Sequence, residues 1–348
     1  MATQTVKSGA VTLLDVAKAT DPDGKIAKVA ELLTQSNEIL MDLPMLEGNL
    51  ATGHRGVIRT GLPTPIWRKL YGGVPPSKSL RATIEDSCGM LEDRSEIDKD
   101  VADLNGNTSE FRLSEASATV EGINQAMAQA LIYGDASINP EQFNGLAVRY
   151  NTINTSTSEV AKNVISGGGS GNCTSVWLVV WGPNTVHGIY PKSSRAGLAH
   201  EDLGLIDAFD ASNNRYRAYA DHWQWKIGLH VRDWRYVVRI ANISMTDLLA
   251  QSSTQANTAA TWLPKLMAKA LARIPFRSQG RAVFYASRTV KEMLAIGALD
   301  KSQQVLAIQP AMQQYGAVTE GFTSTDLTFL GVPIRTVDRI LETETALT

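Results

Sequence analysis

Between Gly48 and Ile84 the chain carries no Asp or Glu, yet it places Arg55, Arg59, Arg68, Lys69, Lys78 and Arg81 there. The same stretch holds Gly53, Gly56, Gly61, Pro63, Pro65, Gly72, Gly73, Pro75 and Pro76, with one Trp (Trp67) and one Tyr (Tyr71). It is too long for a tight turn and too poor in apolar residues to form a core, and loops of this length are usually functional or disordered. Its prolines remove ladder donors, so two irregular, edge-like strands joined around Gly72-Gly73 are expected. The next segment reverses sign, with Glu85, Asp86, Glu92, Asp93, Glu96, Asp98, Asp100 and Asp103 against Arg94 and Lys99. A basic arm beside an acidic segment suits a subunit that lies on a neighbour bearing the same two surfaces.

At 348 residues the chain exceeds the usual single-core size, so two or more lobes are expected. With 33 basic against 35 acidic residues, the molecule as a whole is no nucleic-acid binder, and the informative charge is local. Cys88 and Cys173 make neither a disulfide framework nor a zinc pattern and suit a reducing compartment. No apolar run suits a secretory signal or a membrane span, which predicts a protein that stays in a cytoplasm-like space.

Ile26, Val29, Leu32 and Leu33 repeat at helical spacing after the capping residues Asp21 and Asp23. The clearest helix is expected over about 109–133, where Ala116, Val120, Ile123, Met127, Ala130 and Leu131 form one stripe on a rod of roughly 36 Å. Gly134 stands where a left-handed C-cap would go. Ser166 to Gly171 (SGGGSG) reads as a flexible connector, Val176–Trp181 and Val186–Tyr190 as strands, and 192–214 as a surface excursion. Tyr216 to Ile243 reads as a long aromatic strand pair, followed by helices near Thr261–Ile274 and Arg288–Leu299 with a strand at Arg281–Ala286 between them. A strand-turn-strand over 327–341 closes the chain.

Catalytic chemistry finds no constellation. There is no Walker loop, and SGGGSG would cradle phosphate only if it opened a helix. His54, His187, His200, His222 and His230 are scattered, and His200-Glu201-Asp202 lacks the second His of a zincin. His222 and His230 can face each other across a hairpin, but no third ligand accompanies them. Ser287 and Ser324 sit in no nucleophile elbow. No catalytic residue, metal ligand or cofactor is expected.

The element order, together with Tyr133-Gly134-Asp135…Asn144-Gly145-Leu146, the late Phe329-Leu330-Gly331-Val332-Pro333-Ile334 and Asn37–Pro44 (NEILMDLP), resembles major capsid proteins of tailed bacteriophages with the Hong Kong 97-type fold, short-tailed-phage members in particular. The resemblance implies an α+β subunit with an N-terminal arm (1–47) and an extended loop (48–84). A peripheral domain (85–145) would hold the spine helix 109–133. Axial-domain segments (146–214 and 246–348) would flank a peripheral strand pair (215–245), an order permuted from that of the type member, whose last peripheral strands follow its late strand. The basic residues Arg55, Arg59, Arg68, Lys69, Lys78 and Arg81, with Trp67 and Tyr71 as apolar anchors, would contact the neighbour. Glu85, Asp86, Glu92, Asp93, Glu96 and Asp98 would receive such contacts.

Implied partners are copies of itself in pentamers and hexamers, a separate scaffolding protein, a portal protein, a decoration or cement protein, and packaged double-stranded DNA as non-specific content, with no membrane. The shell would be assembled in the host cytoplasm and belong to the virion. The residues leave three alternatives open. They are an encapsulin-like bacterial nanocompartment shell, told apart by protein cargo in place of DNA, an enzyme or binding module whose basic arm is a lid, and an RNA binder that stacks bases on the aromatic strands.

Overall fold

The computed structural model describes residues 34–104, 108–210, 212–249, 258–299, 306–308 and 327–348. The helix expected over Ile26–Leu33 lies outside the described residues. The strands in chain order are β1 (Met45–Glu47), β2 (Gly53–Gly61), β3 (Leu80–Asp98), β4 (Val164–Ser166), β5 (Cys173–Trp181), β6 (Val186–Tyr190) and β7 (Leu198–Phe209). They continue with β8 (Arg215–Val231), β9 (Val237–Ser244), β10 (Arg281–Ala286), β11 (Leu306–Ile308), β12 (Leu327–Phe329) and β13 (Val332–Thr336). The described chain divides into two compact units, one of 34–35, 90–127 and 195–226, the other holding the rest.

The larger unit is built on β5, whose nine residues are all buried. That is the pattern of a strand covered on both faces, and its run Val176-Trp177-Leu178-Val179-Val180 has no polar residue to turn outward. It pairs antiparallel with β9 on one side and β10 on the other, and β10 continues in parallel to β13. Helix Thr258–Arg273 packs on β9 through Leu263, Met267, Ala270 and Leu271, all buried at helical spacing. Helix Arg288–Leu299 packs on β13. Leu330 and Gly331, with φ of 48° and 80°, make the two-residue turn that lets β12 fold back on β13.

In the smaller unit β7 and β8 form a long antiparallel ladder from Leu198↔Trp225 to Phe209↔Arg215. Ile97, Ala102 and Phe111 make a small core against Val101 and Tyr219. The expected surface excursion is therefore wrong over 198–209. That strand is exposed along most of its length, so it lacks the alternation that would betray a half-buried strand. The expected pairing within Tyr216–Ile243 is wrong as well. Both halves are strands, but β8 pairs with β7 and β6, whereas β9 leaves to join β5 and β4. His222 and His230 consequently sit on one strand and do not face each other across two.

The long helix spans Thr108–Tyr133. Ile123, Met127 and Leu131 of the expected stripe are buried, but Val120 is 37% exposed, so the stripe is interrupted there although Phe111 near the helix start is buried. Gly134 is not left-handed. Its amide bonds to the Ala130 carbonyl at 2.9 Å, continuing the helix. A Cβ there would lie 2.5 Å from the carbonyl oxygens of both Ala130 and Phe143, so the glycine serves close backbone approach. The SGGGSG connector is held in place by bonds from Gly167 and Gly169 to the carbonyls of Ala241 and Asn242.

Candidate assembly surface

β2 and β3 pair antiparallel from Gly53↔Ser87 to Gly61↔Leu80, so the basic arm and the first part of the acidic segment are the two sides of one hairpin. Beyond Gly61 the chain forms an irregular tip. Its turn falls at Lys69–Gly72, with the Gly72 amide 3.0 Å from the Lys69 carbonyl. That is slightly earlier than the expected Gly72-Gly73, and Tyr71 takes the left-handed backbone at φ 62°.

The tip is exposed along most of its length. Trp67 and Tyr71 are each 103% exposed, Leu70 87% and Leu62 76%. Arg68, Lys69 and Lys78 are also exposed, as is Arg59, which stands opposite the exposed Arg81 in the ladder. Like charges directly opposite are destabilising in a hairpin, which leaves this face suited to an anionic partner. Arg55 differs. Its guanidinium lies 2.7 Å from Glu85 of the same chain, and its backbone amide and carbonyl are held by Asn49. With both side chains about half exposed, such a pair is worth only about 0–1 kcal/mol.

The acidic residues divide by surroundings. Glu92 accepts a hydrogen bond from the Gln224 amide and lies 3.6 Å from His222. The Gln224 bond comes first among the effects that hold its carboxyl below the ordinary value. Glu96 lies 3.1 Å from Arg94, Asp93 accepts the Arg94 amide, and Asp98 caps the helical turn Lys99–Ala102 by accepting the Asp100 amide at 2.8 Å. Asp86 does not belong to the surface: it is 5% exposed and bonded within the chain to Arg149 and His230, because burying an unpaired carboxylate would be costly.

Sequence reasoning missed this inward-facing cluster. His54, His187 and His230 gather through strand pairings, with Asp86 bonded to His230, and their separation along the chain gave no local signal. Burial raises the Cys88 thiol to about 11, so it is no activated nucleophile. Among the described residues no group of three or more His, Cys, Asp or Glu is arranged to hold a metal ion.

A long helix, an extended two-stranded loop, a long middle-of-chain strand pair and a β-sheet unit covered by helices define a capsid subunit of the Hong Kong 97-type fold. The family model described as major capsid protein GP7 matches residues 21–348, and the chain belongs to that family. It is a structural subunit of a phage capsid shell. A solved chain from bacteriophage Epsilon15 is 31% identical over 99% of both chains, with a TM-score of 0.74. More distant are the capsid of a native GTA particle (10% identity, 65% of this chain and 96% of that one, TM-score 0.45) and an encapsulin complex from Synechococcus elongatus PCC 7942 (9%, 67% and 96%, TM-score 0.42). No curated protein matches.

Proposed function

We propose that this subunit builds pentamers and hexamers of an icosahedral head around double-stranded DNA, and that the hairpin tip lies over the adjacent subunit. The observation that carries the docking is the full exposure of Trp67 and Tyr71 on a tip that also exposes Leu62 and Leu70. Interface energy concentrates in aromatic and Arg anchors, and large exposed apolar patches mark contact surfaces. Arg59, Arg68, Lys69, Lys78 and Arg81 set register against the neighbour's exposed Glu92 and Asp93 more than they add affinity. Many weak contacts repeated around a ring add through multivalency.

In this reading 48–84 is the extended loop. The unit with residues 90–127 and 195–226 is the peripheral domain and takes in β7, and the larger unit supplies the axial domain. Assembly takes place in the host cytoplasm with a separate scaffolding protein and a portal, and the shell is open to a decoration protein. The double reversal Arg68→Glu, Lys69→Glu tests the docking, read by electron microscopy of sedimented particles. Loss of closed shells with an unchanged far-ultraviolet dichroism spectrum is expected. Unchanged shell yield would show that the tip does not direct assembly. Nucleic-acid content of the purified shells tests the DNA filling, and protein cargo in its place would sink that part.

A further inference from the structure

Two cross-strand pairs meet at the root of the β2–β3 hairpin. His54 on β2 stands opposite Asp86 on β3, and His187 on β6 stands opposite His230 on β8. The three imidazoles form a triangle, with centroids 4.6 Å apart for His54–His230, 5.2 Å for His187–His230 and 6.1 Å for His54–His187. His187 and His230 are 3% and 1% exposed. Asp86 shares its two oxygens, Oδ2 lying 2.7 Å from His230 Nδ1 and Oδ1 2.8 Å from the Arg149 guanidinium. His54 Nδ1, His187 Nδ1 and His230 Nε2 are buried without a hydrogen-bond partner, and among backbone groups the Gly182 carbonyl favours a proton on His187.

The charges facing the trio are unbalanced. Asp86 comes from β3, Arg149 from the helical turn Leu146–Arg149 and Arg232 from just beyond β8, with the neutral Cys88 thiol beside Asp86. The Asp86 carboxylate is thus already engaged by Arg149 and His230 before any extra proton is added, while the exposed Arg232 bonds Asn184.

We propose that this trio is a proton-operated latch on the hairpin root. At neutral pH the uncharged rings of His54 and His187 help clamp β2 and β3 to β6 and β8, and acidification drives like charges into the nest and frees the root. Burial first, and the neighbouring His230 second, hold His54 and His187 below the ordinary histidine value, His187 at about 4. The bland alternative is three core histidines that only fill space, and it predicts no acid response distinct from that of the remaining core. The latch itself stands on the fold, and its effect on shell assembly rests on the loop-docking reading above.

Hydrogen exchange of the full-length chain, corrected for the intrinsic pH dependence of exchange, tests it between pH 7.5 and 4. Segments 53–61 and 80–89 report the latch, and β5 and β10 serve as the internal reference. Opening of the hairpin root should rise by on the order of a hundredfold across this range while the reference stays protected. His187→Gln should remove most of that rise. His54→Gln, at a half-buried ring, should reduce it and serves as the second variant if His187→Gln does not fold. An equal response of root and reference in the natural chain, or an unaltered acid response in His54→Gln, overturns the latch. If the root opens with acid but shell assembly keeps its pH profile, the latch stands and the loop-docking reading falls.

Discussion

Arg239 Nη2 lies 3.0 Å from Glu344 Oε2, and both side chains are almost fully buried. Ser175 and Tyr133 donate their hydroxyls to the same carboxylate, and the guanidinium lies over the Trp177 ring, 4.9 Å from its centroid. Removing one partner of such a pair leaves an uncompensated buried charge. Glu344→Ala should therefore cost about 3–5 kcal/mol, seen as a lower midpoint in urea unfolding with little change in slope. A loss under 1 kcal/mol would mean that the pair is incidental.

Gly122 and Gly134 lie in or at the end of the same helix and should respond oppositely to a methyl group. Nothing lies within 4 Å of a Cβ at the exposed Gly122, so Gly122→Ala should stabilise by about 0.5–1 kcal/mol. Gly134→Ala meets two backbone oxygens at 2.5 Å and should lose at least about 2 kcal/mol, with reduced soluble yield. Thermal unfolding of the two variants side by side decides this.

Leu330 holds a left-handed backbone at φ 48° and is 56% exposed, so its side chain gives little packing in return for the strain. Leu330→Gly should raise the unfolding free energy by up to about 1 kcal/mol, less the flexibility that glycine adds to the unfolded chain. An equal loss of stability would show that the leucine is needed by its neighbours.

Trp67→Ala and Tyr71→Ala should separate folding from assembly. Both side chains are fully solvent-exposed, so subunit stability should move by less than about 0.5 kcal/mol while the yield of sedimenting shells falls sharply. Matched unfolding curves and sucrose-gradient profiles make the comparison.

Acid should weaken the fold in two windows. His187, at about 4 in the folded chain, stays neutral where the unfolded chain, near 6.5, already takes a proton. Stability is therefore whole above that ordinary value and falls as the pH drops toward 4, by roughly 2–4 kcal/mol in all. For Asp86, burial alone would raise the carboxyl, but the His230 bond and the Arg149 charge outweigh it and hold it below the ordinary 3.8. Its contribution is present above that value and is lost below it. His187→Gln should flatten the upper window and leave the lower one, measured as urea midpoints against pH.

Local patterns carried much of this fold. The Ile123, Met127 and Leu131 spacing, the uninterrupted apolar run of β5 and the Leu-Gly turn before β13 each declare their element. The signals failed where both faces of a strand meet water or where pairing is distant. β7 reads as polar excursion because few of its side chains are buried, and β9 follows β8 closely yet crosses to β5. The basic tip was legible from charge and proline alone. The histidine nest was not, since its members are neighbours only through the β2–β3 and β6–β8 registers.

The make-up of the hairpin tip also bears on how such a chain survives its own synthesis. A shell needs many copies at once, and each carries Leu62, Ile66, Trp67, Leu70, Tyr71 and Val74 in the open. Sticky segments of this kind invite edge-to-edge stacking into fibrils. Pro63, Pro65, Pro75 and Pro76 withhold the amide donors such stacking needs, and Arg68, Lys69 and Lys78 repel an identical tip. The same loop can thus stay soluble in a crowd of its own kind.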